Sequence, residues 1–163
     1  MLKSSVEDLQ QLADDLQEAS RLERGKVALS TGPCEIGTAL DAARELAGNI
    51  SLAGIPEPGL EGPWDAARLV RAIAGFAVSA NRIGDGSGTV QVEAVRKGQT
   101  ADLTFTSGVP AGSEKPIAAD AGFSFFRSRQ LVLAMGGSVH CRRAERFATI
   151  RVALPLGSGG EVR

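Results

Sequence analysis

The sequence predicts an α+β fold, a two-layer sandwich in which helices cover one face of a mixed β-sheet, preceded by one long helix. Three observations predict it. Apolar residues recur at helical spacing in four segments, apolar and polar residues alternate in short segments between them, and runs rich in Gly and Pro separate these segments. Together they indicate one layer of helices and one of strands around a shared apolar core.

Length and composition describe one domain of ordinary size. The 163 residues include 18 Lys and Arg against 19 Asp and Glu, with a formal net charge of -1. Such a chain has no bulk positive field, so we expect no nucleic-acid partner. No apolar run reaches the length of a membrane span and no signal peptide is recognisable, so we expect a cytoplasmic protein without a span. Cys34 and Cys141 are isolated, which disfavours a zinc site or a disulfide framework.

The first predicted element is an amphipathic helix over residues 5–24. A capping box at Ser4 and Glu7 and a stop at Gly25 fit its two ends. Its apolar stripe would be exposed to water in a monomer, so we expect residues 1–25 to form a dimerisation helix; packing back on its own domain is the alternative. The stripe consists of Val6, Leu9, Leu12, Ala13, Leu16, Ala19 and Leu22.

The next part of the chain predicts a strand, a helix and a second strand. Residues 26–30 alternate as a short strand does, and a turn at residues 31–33 leads into a helix that carries Ile36 and Leu46 and ends at Gly48. Residues 50–53 form the second predicted strand. Residues 54–63 contain three prolines, which predicts a loop without regular structure.

A third helix begins after Asp65, which is a suitable N-cap residue. Its apolar seam consists of Leu69, Ile73, Phe76, Ala80 and Ile83. Glycines at residues 84–88 end it, and two alternating strands follow: one with Val90, Val92 and Ala94 on a face, the other with Leu103 and Phe105.

The last third of the chain predicts a loop, a helix and a hairpin. Residues 107–122 lack apolar periodicity and predict a loop, and residues 123–135 predict a helix that ends at the following pair of glycines. Residues 138–143 and 147–154 form a predicted hairpin, and residues 157–163 a disordered tail.

Two stretches of this sequence resemble bacterial sensor histidine kinases. The run Ser20-Arg21-Leu22-Glu23-Arg24-Gly25-Lys26 is similar to the exit of the last helix of their dimerisation and phosphotransfer domain. The ending from Phe147 to Leu156, with its Leu-Pro-Leu, is similar to the last strand of their ATP-binding catalytic domain. The resemblance implies a dimerisation-type helix at 1–25, a Bergerat-type ATP-binding domain at 26–156 and a tail at 157–163.

The resemblance also implies an activity. Family members use ATP and Mg²⁺ to transfer the γ-phosphoryl group to a His, which here would lie on an upstream helix outside this sequence, and they work with a response regulator protein in two-component signal transduction. His140 lies in a predicted hairpin strand and is not a candidate for that His. A homodimer through the N-terminal helix and the binding of ATP and ADP are further expectations.

The family's first nucleotide box lies on the third predicted helix. Family members carry two Asn four residues apart there, the second of which holds Mg²⁺, and the corresponding positions are Gly75 and Ser79. The resemblance implies Ser79 as an oxygen ligand of the metal, with Asn81 as a second candidate if the helix end unwinds. Arg82 matches a cation that lies beside the phosphates. Asn81 is equally well explained as a polar residue of the last helical turn.

The other two boxes are also incomplete. The family's Asp-x-Gly-x-Gly corresponds to residues 106–110, so Thr106 or Ser107 is expected to accept the adenine amino hydrogen bond and Gly108 to let the backbone approach the base.

The second Gly-rich box falls on residues 120–125. Gly122 and Ser124 are expected to lie at the phosphates, where a helix N-terminus and the nearby Arg127 supply positive charge.

Three functions follow from these observations. The first is an ATP-binding histidine kinase catalytic domain with atypical boxes. The second is a nucleotide-free pseudokinase or phosphotransfer adaptor that keeps the fold and the dimer, which the loss of box residues favours. The third is a Ser/Thr kinase of the anti-sigma-factor type, which fits the short domain but not the leading helix.

Overall fold

The computed structural model describes residues 31–84, 86–108, 117–143 and 146–156, without the side chains of residues 117–124. The predicted dimerisation helix with its capping box, the strand at 26–30 and the tail at 157–163 lie outside the described residues. Among the described helices, none is both long and apolar enough to cross a membrane.

The described chain contains seven strands and three helices, in the order β1, α1, β2, β3, α2, β4, β5, α3, β6, β7. The helices are α1 (Ile36–Leu46), α2 (Ala66–Ile83) and α3 (Ile117–Ala134). The strands are β1 (Gly32–Glu35), β2 (Ser51–Ala53), β3 (Glu61–Trp64), β4 (Thr89–Lys97), β5 (Thr100–Gly108), β6 (Ser138–Arg143) and β7 (Phe147–Pro155).

Five of these strands form the main sheet, in the spatial order β2-β4-β5-β7-β6. Strand β2 runs parallel to β4, and the other neighbours are antiparallel. Apolar residues alternate along β4, β5 and β7, and their buried side chains lie on the face that the helices cover. The predicted two-layer α+β sandwich is confirmed.

Strands β1 and β3 pair separately as an antiparallel ribbon, which the sequence analysis missed. Residues 31–33 were expected to form only a turn and residues 54–63 only a loop, and both expectations are wrong at these strands. Pro33 and Pro63 are partners in the ribbon register. A two-stranded ribbon tolerates proline because each strand has one unpaired edge, where a missing N–H costs nothing. Trp64 connects the ribbon to the sheet, since its Nε1 donates a hydrogen bond to the carbonyl oxygen of Pro155 over 2.9 Å.

Helix α2 forms the centre of the helical layer and contacts α1, α3 and the sheet. All five residues of its predicted apolar seam are buried. Burial extends beyond that seam to small residues on the rest of its surface, which allows helices on both sides to approach closely. These small buried residues are Ala72, Ala74, Gly75, Ala77 and Ser79.

The third helix is longer than predicted. Strand β5 continues to Gly108 and α3 already begins at Ile117, so the predicted loop at 107–122 is wrong at both ends. Starting at Ile117 rather than Phe123 moves the helix N-terminus about 9 Å, at about 1.5 Å per residue. The predicted stop is confirmed, because Gly136 follows the helix with φ 85°, a conformation that favours glycine.

Candidate functional site

The expected nucleotide site lies between the C-terminal half of α2, the end of β5 and the beginning of α3. Ser79, in the position of the metal-binding Asn, is fully buried with 0% exposure. Its hydroxyl has no hydrogen-bond partner among the described residues. A metal ion needs several oxygen ligands and usually keeps bound water, so it cannot reach this hydroxyl in the described conformation.

The two other polar residues of this helix end do not join Ser79. The side-chain carbonyl oxygen of Asn81 accepts a hydrogen bond from the backbone N–H of Gly88 over 2.8 Å, and its backbone carbonyl accepts another from Gly86 over 3.1 Å. Asn81 therefore holds the turn between α2 and β4. Arg82 is exposed on the helix surface. Asn81 therefore has a structural role. Ser79 is buried whereas Arg82 is exposed, so the two side chains do not lie on one surface.

Thr106 and Ser107 lie on opposite faces of the sheet, because successive side chains of a strand alternate. Ser107 lies on the buried face with Leu103 and Phe105, and is 2% exposed. Thr106 is half-buried on the other face, away from the helices. Of the two expected adenine acceptors, only Ser107 faces the helical layer, and its hydroxyl has no hydrogen-bond partner among the described residues.

The end of β5 is also covered by the end of α2. A Cβ atom on Gly84 would clash with the Ser107 side chain and would lie 2.7 Å from the carbonyl oxygen of Gly108. Gly84 therefore packs directly on the two residues that were expected to accept adenine and to let the backbone approach it. In the sequence Gly84 is recognisable only as a helix stop, because no local pattern indicates this close packing.

The residues of the second Gly-rich box lie within α3 rather than at its N-terminus. Gly122 and Ser124 are in the helical backbone that begins at Ile117, so the helix dipole end is not at these residues. Arg127 follows in the third turn, and its side chain is 8% exposed. Arg127 has an interaction partner within the protein. The expected helix start at Phe123 is therefore wrong, while binding of phosphate by Gly122, Ser124 and Arg127 stays a prediction.

Three phenylalanines fill the space between α2, α3 and the sheet. The ring centroid of Phe76 on α2 lies 5.7 Å from that of Phe105 on β5 and 6.1 Å from that of Phe125 on α3. These separations and the tilted or edge-on ring planes are typical of favourable aromatic pairs. Phe125 was not predicted as a packing residue. Its signal is the occurrence of Phe123-Ser124-Phe125 at the Leu-Gly-Leu positions of the expected box.

Arg143 fixes the C-terminal end of α2 from the other side. Its Nη2 donates a hydrogen bond to the carbonyl oxygen of Ile83 over 2.8 Å, at a helix end where carbonyl groups lack helical partners. A cation at this position also interacts favourably with the helix dipole. This role of Arg143 was not predicted, because its separation of sixty residues from Ile83 leaves no local pattern in the sequence.

Neither cysteine is activated, and the described residues contain no cluster of metal ligands. Burial, followed by the nearby Asp65 and Glu61 carboxylates, raises the pKa of the Cys34 thiol. Burial also raises the pKa of Cys141, against a smaller opposing effect of Arg143. In the part of the chain that the structure describes, no group of three His, Cys, Asp or Glu could hold a metal ion.

The fold has clear structural relatives, although no protein-family model and no curated protein sequence matches the chain. The histidine kinase AdeS from Acinetobacter baumannii is similar with a TM-score of 0.76 and 13% identity over 96% of this chain and 82% of AdeS.

Two further structures extend this likeness. Full-length ShkA, solved in complex with AMPPNP, matches with a TM-score of 0.76 and 22% identity over 96% of this chain and 37% of its own length. The mycobacterial sensor histidine kinase MprB matches with a TM-score of 0.59 and 20% identity over 77% of this chain and 97% of MprB. The described domain therefore has the fold of histidine kinase ATP-binding catalytic domains, as the sequence predicted.

Proposed function

We propose that this chain is a histidine kinase-type catalytic domain that no longer holds ATP and acts as a protein-binding module in phosphotransfer signalling. The observation that carries the proposal is the contact of Phe76 with both Phe105 and Phe125, which packs together α2, β5 and α3, the three elements that carry the expected nucleotide boxes. A nucleotide at this place would first have to separate aromatic side chains that stabilise each other by packing.

The polar groups around this cluster support the same proposal. A triphosphate with its metal requires accessible oxygen ligands and the N–H groups of a helix N-terminus. Ser79 and Ser107 are buried. Helix α3 begins at Ile117, so Gly122, which was expected at its N-terminus, lies inside the helix. These residues do not fit an adenine nucleotide with Mg²⁺ in the described conformation.

Loss of the nucleotide leaves the scaffold available for protein contacts. In this proposal the domain pairs with a second copy through residues 1–25 and contacts a response regulator or another phosphotransfer protein, while a different kinase supplies the phosphoryl group. The predicted stripe of residues 5–24 and the near-neutral net charge support protein contacts over nucleic-acid binding.

An active kinase is the second candidate function. Two observations favour it: ShkA, which shares the fold, was solved with AMPPNP, and the buried hydroxyls of Ser79 and Ser107 lack partners that a ligand would provide. In that case α3 would have to shift on binding, and Ser79 would become a ligand of Mg²⁺.

Thermal unfolding with and without Mg-ATP distinguishes the two candidates. A ligand present at one hundred times its Kd stabilises the folded state by about 2.7 kcal/mol, which corresponds to roughly 5–10 °C in Tm for a domain of this size. We expect no rise in Tm at millimolar Mg-ATP. A saturable rise that Ser79→Ala and Ser107→Ala each reduce would support the kinase and refute the proposal. Thr106→Ala is the matched control, because Thr106 faces away from the helices.

A further inference from the structure

A groove that shares no residue with the phenylalanine cluster has no assigned role. It has a volume of about 330 Å³ and lies between the β1–β3 ribbon, α1 and the first turns of α2. Pro33 and Cys34 form one wall, and Ala39 and Ala42 of α1 form the other. The alanines leave this space because their side chains are short. Filling such a concavity with apolar side chains releases its water, which favours an apolar occupant.

The rim of the groove is acidic. Glu35 and Glu61 both line it and are both exposed, and the described residues that line it include no basic side chain. The hydroxyl of Thr38 donates a hydrogen bond to Oε1 of Glu35 over 3.0 Å, which holds this carboxylate at the rim. An occupant with apolar side chains and positive charge would therefore complement the groove.

The chain itself carries such a segment directly before the groove. Residues 21–30, the linker segment, read Arg-Leu-Glu-Arg-Gly-Lys-Val-Ala-Leu-Ser, with three basic residues, one acidic residue and apolar side chains at Leu22, Val27 and Leu29. The described chain begins with Thr31, the residue that directly follows this segment. Its third described residue is Pro33, which lies in the groove wall. Each extended residue spans at most about 3.6 Å, so the linker segment is long enough to fold back along the groove.

We propose that the groove binds the linker segment of its own chain. Covalent attachment gives the segment a high effective concentration at the groove, so weak apolar and ionic contacts suffice. Binding fixes the catalytic-type domain against the end of the predicted dimerisation helix and so sets the orientation of the domain. This inference does not depend on whether the domain binds ATP, because the groove and the phenylalanine cluster share no residue.

Hydrogen–deuterium exchange of the full chain tests the proposal. We expect the backbone amides of residues 22–30 to exchange at least about tenfold more slowly in the wild type than in Ala42→Arg, which places a large cation in the groove. Ala42 is exposed, so the variant is expected to fold. Ala134→Arg is the matched control at an exposed alanine of α3. In this variant the amides of residues 22–30 should exchange as slowly as in the wild type. Equal exchange in all three proteins would overturn the proposal.

Two further measurements define the occupant. Protection that disappears on dilution would assign the groove to the linker segment of a second copy and would overturn binding within one chain.

Lys26→Glu should speed exchange of the linker segment by about two- to fivefold, as expected for an exposed ion pair. Adding Glu61→Lys to Lys26→Glu should restore much of the protection. If the double variant regains no protection, the ionic contact is contradicted.

Discussion

The two ends of helix α2 are built differently. At the N-terminal end the Asp65 carboxylate is paired with Arg68: one oxygen accepts a hydrogen bond from the backbone N–H of Arg68 over 3.1 Å, and the other contacts the Arg68 guanidinium at the same distance. At the C-terminal end the hydroxyl of Ser79 is buried without a partner among the described residues, and the ring of Phe76, three residues earlier, packs against Phe125 of α3. The N-terminal end is thus stabilised by a paired carboxylate, whereas the C-terminal end, where the nucleotide was expected, carries an unsatisfied hydroxyl.

The largest predicted effect concerns Phe76, whose ring packs against β5 and α3. Phe76→Ala removes contacts with both Phe105 and Phe125 and leaves a cavity, so we expect a loss of about 3–5 kcal/mol in the free energy of unfolding. Urea denaturation followed by Trp64 fluorescence measures this loss. Phe147→Ala is the control at an exposed ring and should change stability by less than about 0.5 kcal/mol. A similarly small loss for Phe76→Ala would show that the rings do not close this end of α2.

The next effect tests the contact between α2 and β5. Gly84→Ala forces a methyl group against Ser107 and Gly108, so we expect a loss of about 1–3 kcal/mol from overpacking. Gly32→Ala is the control, since a methyl group there meets no atom within 4 Å. If the two substitutions have the same small effect in urea denaturation, the end of β5 is open rather than covered.

The N-terminal end of α2 should depend on its cap. Asp65→Ala removes the hydrogen-bond acceptor for the Arg68 N–H, and we expect a loss of about 1–2 kcal/mol. Asp65→Asn retains an oxygen acceptor and should lose less. Equal losses in the two variants, measured by chemical denaturation, would show that the charge contact with Arg68 matters more than the cap.

Ser79→Ala should have a smaller effect of the opposite sign. Because the hydroxyl is buried without a partner, its removal should leave stability unchanged or raise it by up to about 1 kcal/mol. A clear destabilisation in thermal or urea unfolding would mean that Ser79 makes a hydrogen bond in solution. The contrast with Asp65→Ala then separates a polar group that supports the fold from one that does not.

The smallest effect is a pH dependence beside the N-terminal end of α2. Burial raises the pKa of Cys34 above its ordinary value of 9.0, so the folded chain keeps a proton that the unfolded chain releases. The stability contributed by this thiol is therefore present below the ordinary pKa and lost as the pH rises through the raised value. Comparing the wild type with Cys34→Ala between about pH 8 and about pH 10 isolates this loss. An equal loss in both proteins would assign it to other groups.

Much of the fold could be predicted, because the spacing of apolar residues along the sequence indicates which side chains are buried. The seam from Leu69 to Ile83 predicted α2, and the alternation in β4 and β5 predicted two neighbouring strands. The ribbon of β1 and β3 could not be predicted, because its prolines favour a loop locally and the pairing partners are far apart in sequence.

The candidate site was harder to predict for a related reason. Alignment with the family's boxes predicts sequence positions but not the face of the strand on which each residue lies. Thr106 and Ser107 were therefore equivalent candidates for the adenine acceptor, although the strand places them on opposite sides of the sheet. The early start of α3 was missed because residues 107–122 show no apolar periodicity. The role of Phe125 depends on its contact with Phe76, which no local pattern contains.

The central claim is that packing of Phe125 on Phe76 excludes an adenine nucleotide from the C-terminal end of α2. Amide chemical shifts of the full chain, recorded by NMR during titration with Mg-ATP to millimolar concentration, test it at individual residues. The account predicts that the shifts of residues 76–84 and 105–108 stay unchanged. Saturable shifts confined to these two segments would show that the nucleotide enters the site and would contradict the account.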